Sequence, residues 1–403
     1  MTERFEGSFT QQEPIPEDGI DAAVEVMRHG RLHRYNSAPG ETAEVARLEV
    51  EFAAYTGARY CLAVASGGSA LATALRAAGV GGGEPVLSNA FTLAPVPGAI
   101  QSVGGHPVFV GVTRGLTLDL DDLSAKIASS GARVLLLSHM RGHVCDMEAL
   151  MRICDAAGVT VIEDCAHTMG ARWNGVPSGR HGALGCYSTQ TYKHMNSGEG
   201  GLIVGDDPDV MARAILLSGS YMLFDRHAAA PPPAHFETQH PDIPNVSGRM
   251  DNLRAAILRP QLRALDRNCA AWTARYRVVE AGLAETPGLT LIDRPAPEAF
   301  VGSSFQFLLE DWSPEAVRDV VERCAARGVE LKWFGAEAPA AFTSRYVHWR
   351  YAAPEPMPET DRVLAGLLDM RLPLTFDERD CAQIARIIRA EVGAVWQGRA
   401  AAE

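Results

Sequence analysis

The chain has 403 residues, enough for two packed domains, and 47% of them are hydrophobic, an ordinary share for a globular protein. Its 37 Lys and Arg against 49 Asp and Glu give a formal net charge of −12, which repels a phosphate backbone and argues against nucleic-acid or anionic-membrane binding. No apolar run reaches a membrane span, the start "MTERFEGSFTQQEPIPEDGI" lacks the apolar stretch of a secretory signal, and eight cysteines without a C-x-x-C pair read as reduced thiols, so a cytoplasmic location is expected.

From Asp21, "DAAVEVMRHG" reads as a short helix closed by Gly30, and "AEVARLEVEFAAYTG" as a second closed by Gly57. The apolar run "YCLAVAS" then leads into "GGSALATALRAAG", a glycine turn opening an alanine-rich helix. The runs "PVLSNAF", "PVFVGV", "RVLLLSHM", "VTVIEDCAH", "LGCYSTQ" and "GLIVGD" follow, most separated by helical patterns such as "DMEALMRICDAAG". Strands alternating with helices predict an α/β fold whose central sheet is mostly parallel and flanked by helices, with ligands at the strands' carboxyl ends.

Residues 227–250, rich in proline, read as a long loop of the kind that carries function. Leu258, Leu262, Leu265, Cys269, Trp272, Tyr276, Val279 and Leu283 step by four and three along one long helix, which makes Trp272 and Tyr276 core residues. Pro260, near its start, predicts a kink or a later start. "LTLIDR", "SSFQFLLED" and "VELKWFG" read as strands around the helix "SPEAVRDVVERCAARG". The expected organisation is an N-terminal arm over 1–20, a large domain over 21–250 and a smaller α+β domain over 251–403.

"TYKHMNSGEGG" places Lys193 ahead of a glycine-rich run. Lysine is a nucleophile only when neutral, and pyridoxal phosphate is the cofactor that uses lysine by forming a Schiff base with it. Such a site needs a carboxylate for the ring nitrogen, donors for the phosphate and a cover for the ring. Asp164 ends the run "VTVIEDCAH"; at about 4 Å its charge would favour a protonated ring by roughly 4 kcal/mol at an effective dielectric near 20. Ser66, Gly67, Gly68 and Ser69 stand where a strand turns into a helix, so backbone N–H groups and the helix dipole are available to a phosphate. Ser188 adds a hydroxyl, and Gly198, Gly200 and Gly201 permit close backbone approach.

In "ASGGSAL", "IEDCAHTMGA", "YSTQTYKHMNSGEGG" and "SGRMDNLRAAILRPQL" the chain resembles the DegT/DnrJ/EryC1/StrS aminotransferases, pyridoxal-phosphate enzymes of the aspartate-aminotransferase fold (fold type I), from about Gly30 to the C-terminus. The resemblance implies that Lys193 carries the cofactor and shuttles the proton, Asp164 pairs with the ring nitrogen, His167 lies beside the ring hydroxyl, Ser188 binds phosphate and Gln190 lines the same strand. Gly68 stands where the family usually has threonine. Leu93 replaces an aromatic residue with Phe91 two places earlier, so either covers the ring. The family's Asn-x-Arg-Met appears as Ser247-Gly248-Arg249-Met250 with Asn245 upstream, leaving Asn245 or Ser247 to reach a partner subunit's phosphate.

The implied activity is transfer of an amino group from glutamate or glutamine to a keto or aldehyde acceptor such as a sugar or cyclitol, in a homodimer with residues 221–250 across the partner's site. A lyase or racemase on the same fold, or a non-catalytic cofactor-binding regulator, is the alternative. No metal is expected: His139 and His143, four apart, read as straddling a turn. His194 reads as a loop residue, and His235 and His240 lie in the long loop.

Overall fold

The computed structural model describes residues 3–400. Helices α1 (Glu17–His29) and α2 (Glu44–Thr56) each end on a left-handed glycine, Gly30 at φ 73° and Gly57 at φ 72°. α1 starts ahead of Asp21, because Pro16 precedes it with φ −55° and Glu17 and Asp18 complement the dipole in its first turn.

Strands and helices then alternate: β1 (Tyr60–Val64), α3 (Gly67–Ala77), β2 (Pro85–Asn89), α4 (Pro95–Ser102), β3 (His106–Val110), α5 (Leu120–Ser130), β4 (Val134–Ser138), α6 (Met147–Ala157) and β5 (Thr160–Asp164). A short hairpin, β6 (Arg172–Trp173) and β7 (Val176–Pro177), precedes β8 (Leu184–Ser188) and β9 (Gly201–Gly205), followed by α7 (Pro208–Leu217) and α8 (Ala234–Glu237). Seven strands form one sheet in the order β1-β9-β8-β5-β4-β2-β3. Only β9 runs against its neighbours. Residues of β4, β8 and β9 are buried throughout, as a sheet covered on both faces requires.

The reversed strand matters to the site. β8 ends at the carboxyl edge and β9 starts there, so residues 189–200 form a tight excursion above that edge. Thr189 N–H donates to the Gly200 carbonyl (2.9 Å), Thr191 N–H to Gly198 (3.1 Å) and Lys193 N–H to Gln190 (2.8 Å).

The loop over 227–250 is tied down in part: Phe236 of α8 is buried and stacks on Phe224 at 4.5 Å, and His227 joins a buried network with Arg34, Tyr35 and Glu49. Next, α9 (Asn252–Leu283) runs unbroken through Pro260, which corrects the expected later start. Its N-terminus is set instead by Asp251, whose side chain accepts from Arg254 N–H (2.9 Å), and Ala255, Leu258, Leu262 and Leu265 pack it against α2, β1 and β9, which offsets the proline's missing hydrogen bond. Farther on, Tyr276, Val279 and Leu283 of α9 enter a different core.

That second core is built on β10 (Thr290–Leu291), β11 (Glu298–Ala299), β12 (Ser304–Leu308), α10 (Pro314–Ala326), β13 (Lys332–Trp333), α11 (Pro358–Ala365), β14 (Leu367–Arg371) and α12 (Glu378–Ala400). Its sheet runs β10-β12-β14-β13, all antiparallel, while β11 pairs with β6. α9, which begins just after the division expected between residues 250 and 251, thus packs its first half on the large sheet's core and its last turns in this one. The strand β14, absent from the sequence reading, carries Arg371 to the site. No helix among the described residues is long and apolar enough to cross a membrane.

Candidate active site

Side chains alternate along β5, so Ile162 and Asp164 face α3 while Val161 and Glu163 face the other layer. In the parallel register Asp164 lies opposite Ser138 of β4 and Cys186 of β8, and Ser188 sits two residues farther along. Three polar side chains from three strand ends therefore share one face of the sheet at its carboxyl edge. Glu163 is structural: it accepts from the N–H groups of Gly179, His181 and Gly182 and pairs with His139 at 3.0 Å.

A cavity of about 380 Å³ opens on that edge, the size of a small-cofactor pocket. Ser66, Gly67, Gly68, Asp164, His167, Ser188, Gln190 and Lys193 all line it, so the structure brings together these residues predicted from sequence.

At one end, Ser66 caps α3, its hydroxyl accepting from Ser69 N–H at 3.0 Å. The N–H groups of Gly67 and Gly68 have no acceptor among the described residues. Backbone and hydroxyls are drawn close here. A Cβ on Gly67 would come within 2.8 Å of Ser188 Cβ, and one on Gly201 would strike the Ser66 carbonyl, which explains the last glycine of the run after Lys193. The result is an anion cradle of N–H groups and the Ser188 hydroxyl at a helix N-terminus.

Asp164 is buried; its Oδ2 accepts from Ser138 Oγ at 3.0 Å and its Oδ1 from Ala166 N–H at 3.1 Å. Thr92 donates in turn to Ser138 at 2.8 Å, so the carboxylate is held from behind. Burial pushes the carboxyl above its usual range, against the pull of Lys193 and these donors. His167 accepts the Arg141 N–H on Nδ1 at 2.9 Å, which puts the ring proton on Nε2. Burial, with Lys193 and Arg141 close by, holds His167 well below the usual imidazole value and keeps it neutral.

Lys193 is one of only three lysines in the chain, with Lys126 and Lys332. Burial, and after it the charge of Arg141, pushes Lys193 down to about 7, Asp164 alone pulling the other way among its main neighbours. Near neutral pH part of the amine is therefore without its extra proton.

The two open choices separate in space. Leu93 lines the cavity, whereas Phe91 is buried outside it, edge-on to Phe334 at 5.0 Å in a core cluster, and is corrected to a packing residue. Asn245 and Ser247 are exposed and do not line the cavity of their own chain; Ser247 accepts from Arg249 at 3.1 Å. His194 is no simple loop residue: it is buried, bonded to the Met169 carbonyl and to Ser303, both at 2.8 Å, and packed on Trp272. His143 bonds Gln306 (2.9 Å), and His235 pairs with Asp209 (2.7 Å). Arg141, Tyr192 and Arg371 also line the cavity and were not read from the sequence. Arg141 sits in a turn at φ 56° and Arg371 on a strand of the second core, positions no local motif marks.

The residues present fit pyridoxal phosphate: a lysine lowered to about 7, a buried carboxylate braced toward the cavity, and a cradle that a single added Cβ would fill. A model of the DegT/DnrJ/EryC1/StrS aminotransferase family matches residues 15–389. The chain is 32% identical over 237 residues to a pleiotropic regulatory protein of Geobacillus stearothermophilus, spanning 58% of that protein's length and 58% of its own. It is 31% identical over 288 residues to the L-glutamine:2-deoxy-scyllo-inosose aminotransferase of Streptomyces kanamyceticus, covering 69% of this chain and 67% of that one. Among solved structures, 3-amino-5-hydroxybenzoic acid synthase superposes with a TM-score of 0.80 at 25% identity, over 98% of this chain and 100% of the other.

Proposed function

Because this chain belongs to the DegT/DnrJ/EryC1/StrS aminotransferase family, we propose that it is a pyridoxal-phosphate aminotransferase moving an amino group from glutamate or glutamine to a keto or aldehyde acceptor, a sugar, cyclitol or related biosynthetic intermediate. One observation carries the reading: a lysine brought to about 7 opens into the same cavity as a buried, braced aspartate and an anion cradle. The bound cofactor supplies a carbonyl that takes up amines and a ring that draws electrons from the bonds next to the nitrogen.

The chain's own groups do the rest. Gly67, Gly68, Ser66 and Ser188 would hold the phosphate, and Asp164, its position fixed by Ser138 and Ala166, would keep the ring nitrogen protonated. His167, with its proton on Nε2, would donate to the ring hydroxyl, Leu93 would cover the ring, and Gln190 lines the same pocket. Lys193 Nζ would be the group that takes a proton from the donor's α-carbon and gives it back on the acceptor's carbon.

The reading includes a homodimer in a cytoplasmic setting, with residues 221–250 reaching the partner's cavity and Asn245 or Ser247 touching its phosphate. The exposed apolar side chains of Tyr221, Met222 and Val246 support it. The regulatory relative favours a second reading, cofactor binding without turnover. Incubating the cofactor-loaded protein with L-glutamine or L-glutamate, without acceptor, separates them. Aminotransfer yields one 2-oxo acid per cofactor and stops; a lyase, a racemase or a regulator yields none.

A further inference from the structure

The residue that follows Lys193 has no part in the steps above, yet it is bound on every side. His194 is 5% exposed, and both ring nitrogens are engaged, Nδ1 with the Met169 carbonyl and Nε2 with the Ser303 hydroxyl, each at 2.8 Å. A carbonyl only accepts, so the ring proton sits on Nδ1 and Ser303 donates to Nε2. Burial, outweighing the Met169 carbonyl and helped by Lys193, pushes the ring down to about 4, so it is neutral near pH 7. Its face packs on Trp272 of α9 with centroids 5.0 Å apart.

The two partners belong to different parts of the site. Met169 lies on the turn that follows Asp164 at the end of β5 and includes His167; there Thr168 N–H donates to the Cys165 carbonyl (3.1 Å) and Ala171 N–H to that of Thr168 (2.9 Å). Ser303 directly precedes β12, and its carbonyl accepts from the N–H of Leu372, the residue after β14, at 3.0 Å. One imidazole therefore joins the lysine's loop, the turn that carries Asp164 and His167, and the edge of the second core. Close packing does not supply this link. Lys193 and His194 border two further voids, a crevice of about 20 Å³ shared with His167 and Ser303 and a cavity of about 140 Å³ beside Gln12–Pro16 of the N-terminal arm. A segment with space on two sides is held by its hydrogen bonds more than by contact. The next ties along the loop are the Lys193 N–H bond to Gln190 and, three residues on, Asn196, whose N–H and carbonyl both pair with the Gln261 side chain at 2.8 Å.

We propose that His194 is the positioning residue of Lys193: by bridging Met169 and Ser303 it fixes the lysine backbone relative to Asp164 and His167 and makes that placement depend on the docked second core. The inference rests on the aminotransferase reading and deepens it. A group that moves a proton between two carbons must be placed closely, a misplacement of about 1 Å costing on the order of 10²-fold in rate.

Three variants test it, with circular dichroism as the folding control. His194→Phe keeps a ring against Trp272 and loses both hydrogen bonds, His194→Asn places an amide nitrogen where Nδ1 stands, and Ser303→Ala breaks only the tie to the second core. Single-turnover formation of 2-oxo acid from L-glutamate by cofactor-loaded protein separates the rate constant from the amplitude, which alone falls when less protein is active. The rate constant falls roughly tenfold to hundredfold in His194→Phe, with the half-saturating glutamate concentration within about twofold of wild type. His194→Asn recovers most of the loss, and Ser303→Ala loses roughly two- to tenfold, as for one neutral hydrogen bond. A His194→Phe rate constant within about twofold of wild type, a loss carried by glutamate affinity instead, or no recovery in His194→Asn overturns the positioning role. A wild-type rate constant in Ser303→Ala overturns the link to the second core. Hydrogen exchange on cofactor-free protein reads the same claim without turnover: amides of residues 191–195 exchange faster in His194→Phe while those of β5 and β8 do not, and equal exchange contradicts it. If wild type forms no 2-oxo acid, the aminotransferase reading fails by itself, and the exchange difference still decides for or against His194.

Discussion

The nucleophile at position 193 gives the sharpest quantitative prediction. An ordinary lysine, with a pKa near 10.4, is about 0.04% neutral at pH 7, whereas burial and the neighbouring cations bring Lys193 to about 7, so about half of it is neutral there. The population able to attack a carbonyl or take a proton is larger by a factor on the order of 10³. Competitive acetylation of cofactor-free protein across pH 5 to 10, read by peptide mass spectrometry, measures this directly, and with only three lysines the peptides are easily resolved. Lys193 labelling should rise with a midpoint near 7, and that of Lys332, lowered by its burial against the pull of Asp369, with Arg141 and Arg371 lowering it further, near 8. Replacing Arg371 by glutamine removes one repelling charge and should move the Lys193 midpoint upward. A midpoint near that of a free lysine in wild type would refute the electrostatic argument.

Other consequences follow from packing and from buried charge. Gly67→Ala inserts a methyl within 2.8 Å of Ser188 Cβ, and overpacking of this kind costs about 1–3 kcal/mol, so pyridoxal-phosphate affinity measured by fluorescence titration should fall roughly 5- to 150-fold; an unchanged affinity would remove Gly67 from the cradle. Glu49, fully buried, is pushed up by burial but held down to about 2 by Arg34, which it meets at 2.9 Å through both oxygens. Since that value lies below the unfolded one near 4.3, its contribution, about 3 kcal/mol, is present above pH 4.3 and lost as pH falls toward 2. Urea unfolding at pH 3, 5 and 7 should show this slope in wild type and lose it in Glu49→Gln; parallel profiles would contradict it.

Much of the cavity was legible because strand geometry makes it local. A period of two and a parallel register put Asp164 and Ser188 on one face, and the Ser66-Gly67-Gly68 turn follows directly from β1. Arg141, Arg371 and Lys332 were not legible. Arg141 faces the cavity through a left-handed turn whose N–H is bound by the His167 ring, and β13 and β14 meet it only after the chain has crossed α9 into a second core. Proline rules misled at Pro260, where packing of α9 outweighs a lost backbone bond, and Phe91 drew attention as an aromatic although the strand's end turns it inward toward Phe334.

The central claim is that the amine at position 193, and no other, carries the cofactor. Borohydride reduction of pyridoxal-phosphate-saturated protein, followed by peptide mass mapping, decides among Lys126, Lys193 and Lys332. The structure predicts the reduced adduct on Lys193 alone. Finding it on Lys332, the other lysine of lowered basicity beside the cavity, or finding none, would contradict the account.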